Sequence, residues 1–192
     1  MQSNLFQRYQ KELSPALAKS LGIKNAMQIP RIEKICVNVG VGSYLQRIGK
    51  KDTAEIEADI AAITGQKPVV KKARMSVSNF KLREGMPVGV SVTLRKESAY
   101  NFMDKVINVV FPRVQGFRGV KTAIFDTNGN CSFGFKEHSV FPEITVDDGR
   151  KVHGVQITVV FNSKDAEANK KLLESMGFPF RKAANTEEVV AA

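Results

Sequence analysis

Two histidines, His138 and His153, and two cysteines, Cys36 and Cys131, supply all the imidazole and thiol chemistry of the 192-residue chain. Their spacing matches no H-E-x-x-H or C-x-x-C ligand set, and no G-x-S-x-G elbow displays a nucleophilic serine. Each cysteine sits inside an apolar stretch and reads as a small buried hydrophobe in a reducing compartment. The carboxylates Asp147 and Asp148 adjoin Gly149-Arg150, the composition of a solvated turn rather than of an acid–base dyad. Val39-Gly40-Val41-Gly42 opens like a dinucleotide fingerprint, but Leu45 stands where the third glycine belongs and no helix is expected before about Lys50. Asp126, Asn128, Asn130 and Glu137 imitate a calcium loop, yet Cys131 fills the sixth position, which requires glycine. These residues argue against an enzyme, and neither a metal nor a cofactor is expected.

What the residues can do is face a polyanion. The chain has 29 Lys and Arg against 19 Asp and Glu, a net charge of +10. Residues 67–96 alone carry Lys67, Lys71, Lys72, Arg74, Lys81, Arg83, Arg95 and Lys96 against the single acid Glu84. Charge this concentrated attracts nucleic-acid phosphates. The remaining composition, 43% hydrophobic and 25% charged, is that of an ordinary globular protein and excludes a disordered chain, a collagen-like repeat and a disulfide scaffold. No apolar run approaches the ~18 residues of a membrane helix, and the N-terminal pattern is amphipathic without a secretory core, so a soluble intracellular protein with no membrane partner is expected.

The elements that must position this charge are read from periodicity. Leu5, Tyr9, Leu13, Leu17 and Leu21 predict a helix over 2–21 stopped at Gly22, with Pro15 kinking or dividing it. Residues 32–39 alternate as a half-buried strand, with Ile35, Val37 and Val39 on one face and Cys36 and Asn38 on the other. A helix over 52–64 opens on Asp52 and Glu55 and ends at Gly65. A short strand follows at 68–72, then a polar, basic stretch at 73–87. Val88, Val90, Val92 and Leu94 alternate with Gly89, Ser91, Thr93 and Arg95 in the clearest strand of the chain. Ser98 is expected to cap a helix bearing Phe102, Met103, Val106, Ile107 and Val110, closed by Phe111-Pro112. Residues 121–126 and 131–136 flank Asn128-Gly129 as a hairpin. Val155, Ile157, Val159 and Phe161 mark a last strand. Ser163 opens a last helix, with Ala168, Leu172 and Met176 inward, that stops at Gly177. The tail 183–192 has no pattern and is expected to be disordered.

Helices and antiparallel strands interleave without a βαβ rhythm. The expected fold is α+β: a single domain over 1–182, mainly antiparallel sheet, with helices packed on one face and the other face free for RNA. That free face would carry Asn38, Ser91, Thr93 and Arg95, small or polar side chains that let an RNA backbone approach, with the basic loop at 71–83 beside it. Phe133-Gly134-Phe135-Lys136 shares part of the signature of an RNA-recognition motif, but lacks its leading basic-glycine pair and reads as core. A free-standing RNA-binding regulator is the competing class at this point.

Several ordered segments resemble a known family. They are Met27-Gln-Ile-Pro-Arg31-Ile-Glu-Lys34, Asn38-Val-Gly-Val-Gly42, Thr64-Gly-Gln-Lys-Pro68, Lys72-Ala-Arg74 leading to Phe80-Lys-Leu-Arg83, Val92-Thr-Leu-Arg95, Phe111-Pro-Arg113, Phe117-Arg-Gly119, Phe141-Pro-Glu-Ile144 and Gly177-Phe-Pro-Phe-Arg181. Spanning about residues 5–182, they resemble the bacterial type of ribosomal protein five of the large subunit. Met75 departs from the pattern, where many members are basic.

The resemblance implies a non-enzymatic protein of the cytoplasmic ribosome. It would bind 5S ribosomal RNA in the central protuberance, beside large-subunit ribosomal RNA and other 5S-associated ribosomal proteins. Carried over motif by motif, it assigns Asn38, Gln66, Lys67, Ser91, Thr93 and Arg95 to 5S RNA. It assigns Lys72, Arg74, Ser76, Asn79, Lys81 and Arg83 to a loop that contacts P-site transfer RNA. Pro112, Arg113, Phe117 and Arg118 would form an intersubunit bridge to a protein of the small-subunit head.

Overall fold

The computed structural model describes residues 4–42, 44–45, 53–144 and 152–181. In chain order the elements are α1 (Asn4–Arg8), α2 (Ser14–Leu21), β1 (Ile32–Gly40), α3 (Ala54–Thr64), β2 (Val69–Lys72), β3 (Pro87–Arg95), α4 (Lys96–Lys105), α5 (Phe111–Arg113), β4 (Cys131–Phe135), β5 (Val155–Phe161) and α6 (Ala166–Ser175).

Pro15 disturbs the first helix without ending it. A π-helical turn, Tyr9–Leu13, joins α1 to α2, and the Ser14 N–H reaches back to the Tyr9 carbonyl. The wider turn absorbs the missing proline donor and the ring's clash with the preceding carbonyls without breaking the rod. The same device recurs at Pro112. The π-helical turn Val106–Val110 joins α4 to α5, and the Phe111 N–H bonds Val106 O. Phe111-Pro112 therefore does not close this helix, which runs on to Arg113. Its start also differs from the reading that Ser98 caps it. β3 runs straight into α4, with Arg95 extended and Lys96 turning at φ 52°, so Ser98 lies within the first turn.

Five strands form one sheet in the order β2-β3-β1-β5-β4, all pairs antiparallel. One face carries Ile35, Val37, Val39, Val90, Val92, Leu94, Cys131, Phe135, Val155, Ile157 and Val159, all buried. Ile56, Ile60 and Ile63 of α3, Phe102 and Met103 of α4, and Val106 and Val110 of the π-helical turn after it complete this core. At the other end Phe6 and Tyr9 pack on Tyr100, with ring centroids at 5.1 and 5.3 Å. The Tyr9 hydroxyl donates to Pro30 O at 2.9 Å, and the Tyr100 hydroxyl accepts from the Ile32 N–H at 3.3 Å. The result is the expected single α+β domain with helices on one face of the sheet.

Four local expectations shift. Thr53 precedes α3 as its N-cap residue, its hydroxyl donating to Glu57 Oε1 and accepting no backbone N–H, while Asp52 lies outside the described residues. Leu45 N–H bonds Val41 O, so the chain turns helical at Gly42, well before Lys50. Residues 121–126 form no strand beyond the single bridge Phe125–Cys131. Val120 pairs instead with Phe180, and a 3-10 turn, Thr122–Ile124, carries the chain to the Asn128-Gly129 turn. Asp165, not Ser163, caps α6 by accepting the Glu167 N–H, and the Ser163 hydroxyl accepts from Asp165 N–H one step earlier. At α6 a neighbouring polar side chain outcompetes the local signal, and at Val120 a distant segment does. The readings of Asp147-Asp148 and of the 183–192 tail concern residues outside the described ones.

Candidate nucleic-acid interface

Strand alternation sends every second side chain away from the helices, and the register lines these side chains up in rows across the sheet. One row reads Val69, Ser91, Asn38, Gln156 and Gly134 from β2 to β4. The next reads Thr93, Cys36, Thr158 and Ser132, where Cys36 Sγ lies 3.9 Å from Thr93 Oγ1 and the Ser132 and Thr158 hydroxyls are 3.0 Å apart. Beyond it Arg95 adjoins Lys34, and at the opposite end Lys71 faces Gly89 and Gly40. Asn38, Thr93 and Arg95 are exposed and Ser91 half-buried, so the structure brings these four predicted residues together on one polar face. With its short side chains and glycines, this face can admit a nucleic-acid backbone closely and offer it hydroxyl and amide groups.

Gln66 and Lys67 stand apart from these rows, exposed in the turn between α3 and the edge strand β2. The Thr64 hydroxyl folds that turn by accepting from the Gln66 N–H at 3.4 Å. Lys67 is two residues from Val69, at the rim of the face rather than on it.

The basic stretch is an ordered continuation of the β2–β3 hairpin. Ala73 N–H bonds Met86 O at 2.8 Å, and Val77 and Leu82 exchange backbone bonds of 3.0 and 3.1 Å. A 3-10 turn, Ser78–Phe80, ends with Lys81 at φ 52°. The Ser76 hydroxyl accepts the Glu84 N–H at 2.9 Å, so it braces the hairpin from within. Lys72, Arg74, Asn79, Lys81 and Arg83 are exposed along it, as are Met75 and Phe80, at 69% and 70%. The tip is not wholly apart from the sheet: Asn79–Leu82 line an open recess with Gly40, Gly42 and Val88.

At the far end Pro112, Arg113 and Arg118 are exposed. Phe117 is not displayed with them, because its ring stacks on Phe111 with centroids 4.9 Å apart. Arg113, Phe117, Phe133 and Lys136 line an open groove of about 680 Å³. Phe133 and Phe135 belong to this aromatic cluster, against Phe111 at 5.7 and 5.5 Å, and act as core as expected. The calcium-like segment is a turn: the Asp126 carboxylate accepts from the Asn128 and Asn130 N–H groups and from Asn130 Nδ2, which hold its pKa below the ordinary carboxylate value.

Sequence reasoning missed Gln156, Thr158 and Ser132, the β4–β5 half of the face. Their alternation with Ile157, Val159 and Cys131 was legible; that β5 lies beside β1 was not. It also missed the convergence of His138, His153 and Asp59, which come from three separate elements.

Two family models cover most of the chain: one described as ribosomal protein L5 matches residues 25–83, and one described as the ribosomal L5P family C-terminus matches residues 87–180. The boundary falls at the root of the basic hairpin, and because β3 sits between β1 and β2 the two matched segments share one sheet. The chain is 48% identical to large ribosomal subunit protein uL5 of Thermosipho africanus over 93% of its own length and 97% of the relative's. It is 49% identical to the uL5 protein of Dictyoglomus thermophilum, covering 93% and 98%, and 46% identical to that of Geotalea uraniireducens, covering 93% and 99%. With relatedness of this depth running through both halves of the sheet, the chain belongs to the ribosomal protein L5 family, whose members are structural proteins of the ribosome and not enzymes.

Proposed function

We propose that this constituent of the large ribosomal subunit binds 5S ribosomal RNA on the open sheet face and helps to hold it in the central protuberance, among large-subunit ribosomal RNA and other 5S-associated proteins. The observation that carries the reading is the continuous polar row Ser91, Asn38 and Gln156, which runs across the sheet between the cations Lys71 and Arg95. Backbone and 2′-hydroxyl contacts suit such a surface, since they need close approach and short donors rather than a deep pocket. Gln66 and Lys67 flank it at the rim. The protein works in the cytoplasm, on the ribosome.

The same reading gives the hairpin at 72–83 to P-site transfer RNA. Lys72, Arg74, Lys81 and Arg83 supply phosphate counter-charges there, Asn79 a polar contact, and Ser76 an internal brace. The 112–119 segment would contact a small-subunit head protein through Pro112, Arg113 and Arg118, with Phe117 holding the segment to the core.

Measuring 5S RNA affinity over a range of salt concentrations tests the central claim. Released counterions should give a log–log slope of several units, since each neutralised phosphate contributes about 0.7–0.9. A slope near zero, or equal affinity for an unrelated RNA of the same length, would overturn it.

A further inference from the structure

Away from the RNA-facing surface, Asp59 of α3, His138 in the turn that follows β4 and His153 just ahead of β5 converge, with one potential ligand atom from each lying within 4.8 Å of the other two. The two imidazoles stack with centroids 4.0 Å apart and planes 14° from parallel. Their backbones fix this pairing: the His138 N–H donates to His153 O at 3.1 Å, and the His153 N–H makes a long 3.4 Å bond to His138 Nδ1. Tyr44 packs edge-on against His153 at 5.8 Å and orients its ring. His138 is 2% exposed and His153 6% exposed.

His153 Nε2 is buried without a hydrogen-bond partner. Buried polar atoms are seldom left in this condition, and one that is calls for a ligand or ion to complete it. We propose that Asp59, His138 and His153 form a binding site for a divalent transition metal, with Zn²⁺ as the best match. Two imidazoles and a carboxylate form a donor set suited to zinc, whereas Mg²⁺ and Ca²⁺ require oxygen ligands throughout. Tetrahedral zinc with bonds of about 2.0–2.1 Å separates its ligands by about 3.3 Å. Each atom then moves inward by less than about 1 Å and one imidazole turns out of the stack, because a ligating lone pair lies in its own ring plane and the two planes are near-parallel; a fourth position is left for water. Ligation through His138 Nδ1 would replace its long bond from the His153 N–H. The ion would clip α3 to the β4–β5 end of the sheet, acting on stability and not on RNA affinity.

The test uses the full chain after dialysis against a chelator, titrated with Co²⁺ and Zn²⁺ with Mg²⁺ as control. We expect one equivalent to bind at micromolar concentration or below, a visible tetrahedral Co²⁺ spectrum that Zn²⁺ displaces, and no effect of Mg²⁺. At a Zn²⁺ concentration about 100-fold above Kd, the melting temperature should rise by roughly 5–10 °C. His153→Gln and Asp59→Asn should each weaken Zn²⁺ binding at least tenfold while leaving 5S RNA affinity unchanged. Absence of saturable binding, an octahedral Co²⁺ spectrum, or full affinity in both variants would overturn the site. If His153→Gln fails to fold, the wild-type Co²⁺ spectrum together with Asp59→Asn decides.

Discussion

Cys36 and Thr93 face each other across β1 and β3 on the open side of the sheet, Sγ 3.9 Å from Oγ1, whereas Cys131 is wholly buried on the other side. Burial, reinforced by the Asp126 charge, pushes the Cys131 thiol up to about 12. Alkylation at pH 8 read by mass spectrometry should therefore modify Cys36 and spare Cys131 in the native protein. Bound 5S RNA should slow the Cys36 reaction severalfold; an unchanged rate would place the RNA elsewhere.

Thr93→Val, Asn38→Ala and Gln156→Ala each remove one polar group from adjoining rows while leaving the apolar face intact. Each should cost about 1–3 kcal/mol of 5S RNA affinity where its partner is left unsatisfied. Melting temperature should hardly move, because these side chains point away from the core. Normal binding by all three variants would take the RNA off this face, and the Gln156 result alone tells whether the β5 side takes part.

Reversing charge at Lys72 and Arg74 separates hairpin from sheet. Isolated protein should keep most of its 5S affinity, while assembled ribosomes should release P-site transfer RNA faster, because the like charges would lie within a screening length of ~8–10 Å of its phosphates. Both measurements belong on the same double variant. A large loss of 5S affinity beside an unchanged transfer-RNA release rate would assign the hairpin to 5S RNA, an outcome consistent with the recess its tip shares with Gly40 and Gly42.

Gly129 holds φ 75° in the turn before β4, and an added Cβ would stand 2.7 Å from Lys164 O and 2.8 Å from Asn169 Nδ2. Asn169 Nδ2 itself donates to Gly129 O and Ser163 O, tying α6 to this turn. Gly129→Ala should destabilise the protein by about 1–3 kcal/mol through strain and overpacking. Urea denaturation reads this directly, and a loss under about 0.5 kcal/mol would mean that the turn relaxes freely.

Asp126 gives a pH signature. Its carboxyl is held low, first by the Asn130 side chain and then by backbone N–H groups. A depressed folded value stabilises the protein above the ordinary carboxylate pKa of about 3.9, and that contribution is lost as pH falls through the folded value. Asp126→Ala should therefore melt below wild type at pH 7, with the gap closing under acid. A gap independent of pH would mean that the charge contributes nothing to the turn.

The alternation of Ile35, Val37 and Val39 with Cys36 and Asn38, and of Val90, Val92 and Leu94 with Ser91 and Thr93, was enough to assign both strand faces, because a period of two admits one inward set. The cations at 67–96 were equally plain, since charge density is a property of composition. Both prolines announced a disturbance, but not that a π-helical turn two residues earlier would let each helix continue, because that depends on carbonyl geometry. Nothing local distinguished residues 121–126 from a strand: Val120 had a better partner in Phe180, sixty residues away. Sheet order likewise decided that Gln156 and Thr158 extend the polar rows of Asn38 and Cys36. The meeting of Asp59 with two histidines 79 and 94 positions downstream is the extreme case. Patterns repeating every two to four residues are written in the chain, whereas contacts between distant elements arise only when burial of the shared core brings them together.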